Sequence, residues 1–185
     1  ETAVHDLIKE YMTEHQRIIF NGNGYSDEWV VEAEKRGLPN IKSMIEAAST
    51  LTSEKAVALF EKFGIYTKAE LESREEIIYE TYAKTINIEA LTMIDMAGKQ
   101  IIPAVVKYTK TLADTANAIK AAGGDASVQT ELLADVSTKL AAMQKELNKL
   151  VADEKEASAM EDVKAQAFFY KDTIKATMDL SLIHI

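Results

Sequence analysis

The stretch Ile86–Leu112, INIEALTMIDMAGKQIIPAVVKYTKTL, decides how this chain folds. Its apolar residues Ile86, Ala90, Ile94, Ala97, Ile101, Val105, Tyr108 and Leu112 recur at steps of four, four, three, four, four, three and four. A strand alternates its faces every second residue, whereas steps of three and four put side chains on one face of an α-helix. A seam this long requires partner helices to cover it. Upstream, Thr67 and Glu70 form a capping box, in which hydroxyl and carboxylate satisfy free backbone donors at a helix start. No strong stop follows before Ala122, so the expected helix is roughly 55 residues, or ~80 Å at ~1.5 Å per residue. Gly98 and Pro103 should bend it, because proline lacks the N–H and its ring meets the carbonyl of Lys99.

Beyond this helix, Gly123-Gly124-Asp125 is the clearest reversal. Val128, Leu132, Val136, Leu140, Met143, Leu147 and Leu150 then mark a return helix. A polar stretch, Asp153 to Ala157, is expected to interrupt it, and Met160, Val163, Ala167, Tyr170 and Ile174 mark a final helix. Short connections favour antiparallel neighbours. The expected fold is therefore mainly α: long antiparallel helices in a three-helix bundle, with a short strand and turn near the N-terminus.

Toward the N-terminus, Val4, Leu7, Ile8 and Tyr11 share one face, so a helix is expected from Thr2 to about Glu14. Arg17-Ile18-Ile19-Phe20 is short, β-branched and aromatic, and reads as a strand. Asn21-Gly22-Asn23-Gly24 follows as a tight turn or loop, since Asn and Gly accept positive φ at little cost. Ser26 and Ser53 are expected helix caps, and Gly37 and Gly64 expected stops. Pro39 prevents the first of these helices from resuming, and another helical piece begins near Ser43. The expected divisions are 1–42, 43–180 and a tail at 181–185.

Composition excludes several function classes. The 185 residues hold 21 Lys and Arg against 30 Asp and Glu, a formal charge of −9 with no basic stripe, so neither nucleic acid nor an anionic membrane is an expected partner. No apolar run approaches the ~20 residues that span a bilayer. The absence of cysteine removes disulfides, thiolate metal sites and thiol nucleophiles, and agrees with an expected cytoplasmic location. The chain begins Glu-Thr-Ala-Val-His without Met, and is expected to start inside a longer parent.

No residue set assembles a nucleophile, a base and oxyanion donors. The only histidines are His5, His15 and His184, and neither Glu-x-x-His nor His-Glu-x-x-His occurs, so they read as surface or packing residues. The Asn21–Gly24 turn matches no phosphate-binding motif, and Asp27 and Glu28 beside it would repel an anion. Asn87, Glu89, Asp95 and Gln100 read as solvated positions on the long helix, with acids paired to lysines such as Lys84 or Lys99. Trp29, Phe168 and Phe169 read as packing anchors, and the acidic run Glu72-Ser73-Arg74-Glu75-Glu76 as a solvated helix face. No catalytic, cofactor-binding or metal-binding residue is assigned.

Three ordered blocks carry a resemblance: RIIFNGNGYSDEWVVEAEKRGLPN (17–40), LFEKFGIYTKAELESREEI (59–77) and YAKTINIEALTMIDMAGKQIIPAVVKYT (82–109). Together they resemble the C-terminal portion of type III glutamine synthetase, over about residues 1 to 122. After Gly124 the fit is one of pattern more than motif. The resemblance implies an ATP-dependent ligase that phosphorylates the side-chain carboxylate of glutamate and lets ammonia displace phosphate to give glutamine. It implies magnesium or manganese holding the nucleotide, with ions and arginines stabilising the transferring phosphoryl group. It also implies a homo-oligomer, commonly a dodecamer. The family's glutamate-rich metal strands, its nucleotide loop and its substrate arginines are absent here, so neither ATP nor metal is expected to bind this segment, and alone it is expected to be inactive. On that resemblance Arg17–Phe20 closes the edge of a catalytic domain, and the rest is a helical extension that braces subunit contacts. The chain ends Leu-Ser-Leu-Ile-His-Ile; its last five or six residues resemble translated adapter sequence, and the tail 181–185 is expected to be non-native. The competing expectation is a stand-alone helical protein-interaction module, distinguished by what the gene encodes upstream of Glu1.

Overall fold

The computed structural model describes residues 1–184, and its architecture is mainly α, with no strand among the described residues. Two compact units divide it, one of Glu1–Ala47 and a second from Ala48 onward. The first holds α1 (Thr2–Glu14) and α2 (Asp27–Lys35), followed by α3 (Met44–Ala48) at the division. The second holds α4 (Glu54–Lys62), α5 (Lys68–Met96), α6 (Ile102–Ala121), α7 (Ser127–Ser158), α8 (Val163–Phe169) and α9 (Lys175–His184).

Helix ends follow the expected chemistry. Ser26 Oγ accepts from Trp29 N, Ser53 Oγ from Ala56 N, and Thr67 with Glu70 completes both halves of a capping box. Helix α6 ends at Gly123, whose φ of +78° is open to glycine at no steric cost. Gly123 N–H donates to Lys120 O and Gly124 N–H to Ile119 O, the paired bonds of a Schellman motif. Helices α2 and α4 stop in the same way at Gly37 and Gly64.

The expected bend in the long helix is a change of hydrogen-bond pattern. Between α5 and α6 the backbone widens into a π turn at Ala97–Ile101, where Ile102 N–H reaches back five residues to Ala97 O. This turn lies beside Pro103, which can supply no donor to Lys99, so the wider ring accommodates the missing bond. A second π turn, Tyr170–Ile174, separates α8 from α9, and no proline or glycine announces it.

Helix α6 packs along α7, α8 lies against α5, and α9 against α7. The main core joins Ala83, Ile86 and Ala90 of α5 to Leu150 and Ala157 of α7, to Tyr170 and Ile174, and to Met178 of α9. A second cluster joins Ala97, Met143 and Leu147. Four of these side chains, Ala90, Leu150, Ala157 and Ile174, are wholly buried, and the two alanines leave room for the helices to approach closely.

Three expectations require correction. The strand at Arg17–Phe20 is absent: Gln16–Ile18 forms a 3-10 turn, and Ile19 after it is extended (φ −93°, ψ 122°) without pairing into a strand. A strand needs a ladder partner, and here the carbonyls of Gln16, Arg17 and Ile19 accept instead from the Arg36 guanidinium. The turn after it uses no positive φ at Gly22 or Gly24. Asn23 makes it, accepting from Tyr25 N–H on its side chain and from Ser26 on its carbonyl, while Gly22 leaves room for the Phe20 ring, 2.6 Å from where a Cβ would stand. Lastly, Asp153–Ala157 does not interrupt the return helix. Lys149 donates to Asp153 and Thr177, Thr177 donates to Asp153, and Ala157 is buried, so the polar stretch has helical and tertiary partners. The break falls instead after Ser158, and Asp162 caps the next helix by accepting from Ala165 N. At the C-terminal end α9 runs through His184; of the expected tail 181–185, Ile185 lies outside the described residues.

Candidate functional site

The most buried carboxylate sits where the sequence suggested a solvated face. Leu71, Glu75, Tyr79 and Ala83 follow one another at steps of four on α5, so all four point inward, and Glu75 is only 7% exposed. Burying an unpaired carboxylate is costly, so donors must surround it. Thr52 Oγ1 donates to Glu75 Oε2 at 2.5 Å, Tyr79 OH donates to Oε1 at 2.5 Å, and Lys164 Nζ lies 3.4 Å from Oε1. The three donors come from the loop before α4, from α5 itself, and from the first turn of α8.

Burial pushes the Glu75 carboxyl up, but the hydrogen bonds from Thr52, Tyr79 and Lys164 outweigh it and hold the group below its ordinary value of 4.5. Tyr79 moves the other way: burial and its bond to the Glu75 carboxylate both favour the protonated phenol. A carboxylate saturated with donors is a poor base, and a phenol this weakly acidic keeps its proton near neutral pH. The cluster therefore acts as a clamp. Lys164 also lies 5.5 Å over the Tyr79 ring, and Phe168 stacks 6.2 Å from it, tying α8 to α5 twice more.

An open cleft of about 590 Å³ lies over this clamp, edged by Lys68, Glu72, Glu76, Glu161 and Asp162. Lys68 pairs with Glu72 at 3.6 Å, and Asp162 is occupied in capping α8. No group of three or more His, Asp or Glu among the described residues is arranged to hold a metal ion. With Glu75 committed to its three donors, the residues lining the cleft do not fit a nucleotide–metal complex. A second groove of about 440 Å³ is apolar, lined by Ile88, Thr92, Met93, Met96, Met178 and Leu182.

The structure scatters the residues singled out in the sequence. His5 is exposed on α1, 3.2 Å from Asp6, and His15 follows α1 with its ring 5.9 Å from Tyr11. His184 ends α9. Asp95 pairs with Lys99, whereas Lys84 pairs with Glu80. Glu89 and Gln100 are exposed, and Asn87 Oδ1 is buried without a hydrogen-bond partner among the described residues. Trp29 packs 4.5 Å from Phe20 with Arg36 over its ring, Phe168 meets Tyr79, and Phe169 packs on the main core. Glu75 is the residue that sequence reading missed. The signal was present, because it stands in the four-residue step between Leu71 and Tyr79.

Comparison with known proteins bears on the whole arrangement. Residues 3–120 match the family described as the glutamine synthetase C-terminal domain. The chain is 39% identical to a glutamine synthetase of Butyrivibrio fibrisolvens over 178 residues, which is 95% of this chain and 25% of that protein. It is 40% identical to a type-3 glutamine synthetase of Dictyostelium discoideum over 119 residues, 64% of this chain and 16% of that one. A glutamine synthetase of Bacteroides fragilis is 28% identical over the full chain, which covers 26% of it. The chain thus spans about a quarter of the length of the two bacterial relatives.

Proposed function

The chain belongs to the glutamine synthetase C-terminal domain family, and on that premise we propose that it is the helical C-terminal part of a ligase making glutamine from glutamate, ammonia and ATP. The family match across residues 3–120 carries this reading. Its part in the enzyme is structural, because Glu75, its most buried carboxylate, is engaged as a clamp between helices. ATP and magnesium or manganese belong to the remainder of such an enzyme. The parent is a cytoplasmic homo-oligomer, of the dodecameric kind that the family resemblance implies.

Within this reading, α5 with α6, α7, and α8 with α9 form the three rods of an antiparallel bundle. The reversal at Gly123 and the packing of α6 on α7 and α9 on α7 support it. Residues 1–42 are the close of the catalytic domain and its connection, 43–180 the helical extension, and 181–185 a non-native tail.

The test is glutamine formation from glutamate, ammonia and ATP. The full-length gene product should turn over at a rate ordinary for enzymes, ~1–10³ per second, and the 185-residue chain should give none. Ligase activity from the chain alone, or none from the full-length product, overturns the reading.

A further inference from the structure

The turn Asn21-Gly22-Asn23-Gly24 holds both Asn-Gly pairs of the chain; the other asparagines precede Ile41, Ile88, Ala118 and Lys149. An Asn-Gly pair carries its own reaction. The glycine nitrogen can attack the asparagine side-chain carbonyl carbon, because no Cβ obstructs the approach and the glycine backbone turns readily. Closing that five-membered ring sets the asparagine ψ and its side-chain torsion together, so contacts that hold either one elsewhere oppose it.

The two pairs are identical in sequence and differ in structure. All four residues are exposed, and neither Gly22 N–H nor Gly24 N–H is hydrogen-bonded among the described residues. Asn23 is held twice over. Its Oδ1 accepts from Tyr25 N–H at 3.1 Å, and its backbone carbonyl accepts from Ser26 N–H at 3.1 Å and from Ser26 Oγ at 2.8 Å. The bonds from Ser26 fix the direction of that carbonyl, and with it ψ. Each bond that must open lowers the reactive population by roughly two- to tenfold. The Asn21 side chain makes no hydrogen bond among the described residues. Phe20 takes the space beside Gly22 where a Cβ would stand, a packing contact that keeps the position a glycine.

Charge separates the pairs further. Asn21 lines an open cleft of about 560 Å³ together with Met12, Gln16, Arg17, Ile19 and Arg36, and Asn23 lies outside it. Arg36 is paired with Glu32, whereas Arg17 has no ion pair among the described residues. Attack on the amide carbon places negative charge on the side-chain oxygen, and cations beside it stabilise that charge. The same cations favour the carboxylate that the reaction leaves behind.

We propose that Asn21–Gly22 is a self-modifying site, selected over Asn23–Gly24 by the turn and promoted by the arginine cleft. The Gly22 nitrogen loses its proton and bonds to Cγ of Asn21. The bond from Cγ to the amide nitrogen breaks, and that nitrogen leaves with the proton as ammonia. Water then opens the cyclic imide at either carbonyl, its hydroxyl going to the carbon and its hydrogen to the nitrogen. The product is aspartate, or isoaspartate where the main chain now runs through the former side chain. Water is the one co-reactant, and nothing is oxidised or reduced. The site thus gains a negative charge beside Arg17, in the connection between α1 and α2 that Arg36 holds by the carbonyls of Gln16, Arg17 and Ile19.

The experiment follows both asparagines in the 185-residue chain held in mildly alkaline buffer. Samples are digested under acidic conditions, and mass spectrometry with fragment ions separates position 21 from position 23. In the folded chain Asn21 should convert at least roughly tenfold faster than Asn23, whose reaction awaits local opening. In the chain unfolded by urea the two should convert at comparable rates. Arg17→Gln should slow Asn21 by roughly twofold or more and leave Asn23 unchanged, while Arg17→Lys should keep the parent rate. Equal rates in the folded chain, or faster conversion at Asn23, overturn the proposal. So does an ordering that persists in urea, which would belong to the neighbouring sequence rather than to the turn. An Arg17→Gln chain that converts at the parent rate overturns it as well. None of these measurements involves glutamine formation, so the result stands apart from the ligase reading.

Discussion

Thr52 and Glu75, 23 residues apart in the chain, are joined by a 2.5 Å hydrogen bond from the threonine hydroxyl to a carboxylate that solvent scarcely reaches. The bond fastens the loop before α4 to α5, while the other carboxylate oxygen takes Tyr79 and Lys164.

Thr52→Val removes this donor and keeps the side-chain shape. Hydrogen bonds to charged groups contribute ~1.5–3 kcal/mol, so the variant should unfold at lower urea concentration by about that free energy, with the m-value unchanged. A change below ~0.5 kcal/mol would mean that the bond adds nothing net.

The acid response of Glu75 has a defined sign. Its carboxyl titrates lower in the folded chain than its ordinary 4.5, so its contribution to stability is present above that value. The contribution is lost as pH falls through the depressed folded value. Glu75→Gln should therefore be less stable than the parent near neutrality, and the gap should narrow as pH drops below about 4.5. A gap that stays constant from pH 7 to pH 3 would contradict the assignment.

Two glycines predict opposite outcomes. Gly123→Ala forces a Cβ onto a φ of +78° and should cost ~1–2 kcal/mol, although nothing stands within 4 Å of the new atom. Gly24→Ala has the same open space without the positive φ, and its thermal midpoint should match the parent's. A loss of stability at Gly24 would restore the left-handed turn that its sequence suggests.

Adjacent residues on α7 offer a similar contrast. Leu150 is wholly buried and Val151 is 46% exposed. Leu150→Ala should cost ~2–5 kcal/mol in chemical denaturation, and Val151→Ala should stay within ~0.5 kcal/mol. Comparable losses at both sites would place the core on a different face of α7.

Helices, caps and reversals were legible in this sequence because each rests on a local signal. Thr67 with Glu70 and the pair Gly123-Gly124 satisfy backbone groups a few residues away, and the structure realises both. Arg17–Phe20 misled because β-propensity describes a fit to a sheet, and the guanidinium that takes the carbonyls of Arg17 and Ile19 lies 17 to 19 residues further on. Asp153–Ala157 misled because charge was read without its partners, one of them Thr177, two helices away. Glu75 was hidden by its neighbours: Glu72 and Glu76 are exposed, and only the step from Leu71 to Tyr79 separates it from them.

The widened turn at Ala97–Ile101 has a consequence for phase. From Ile86 to Ala116 the apolar seam takes eight steps across thirty residues, whereas eight turns at ~3.6 residues hold about twenty-nine. The surplus residue would rotate Leu112 and Ala116 by roughly 100° away from α7. One π turn absorbs it, as a leap day keeps a calendar in season. Deleting a single residue there should restore the α-helical phase with one hydrogen bond still missing at Pro103, while the same deletion further along α6 should throw the two rods out of step.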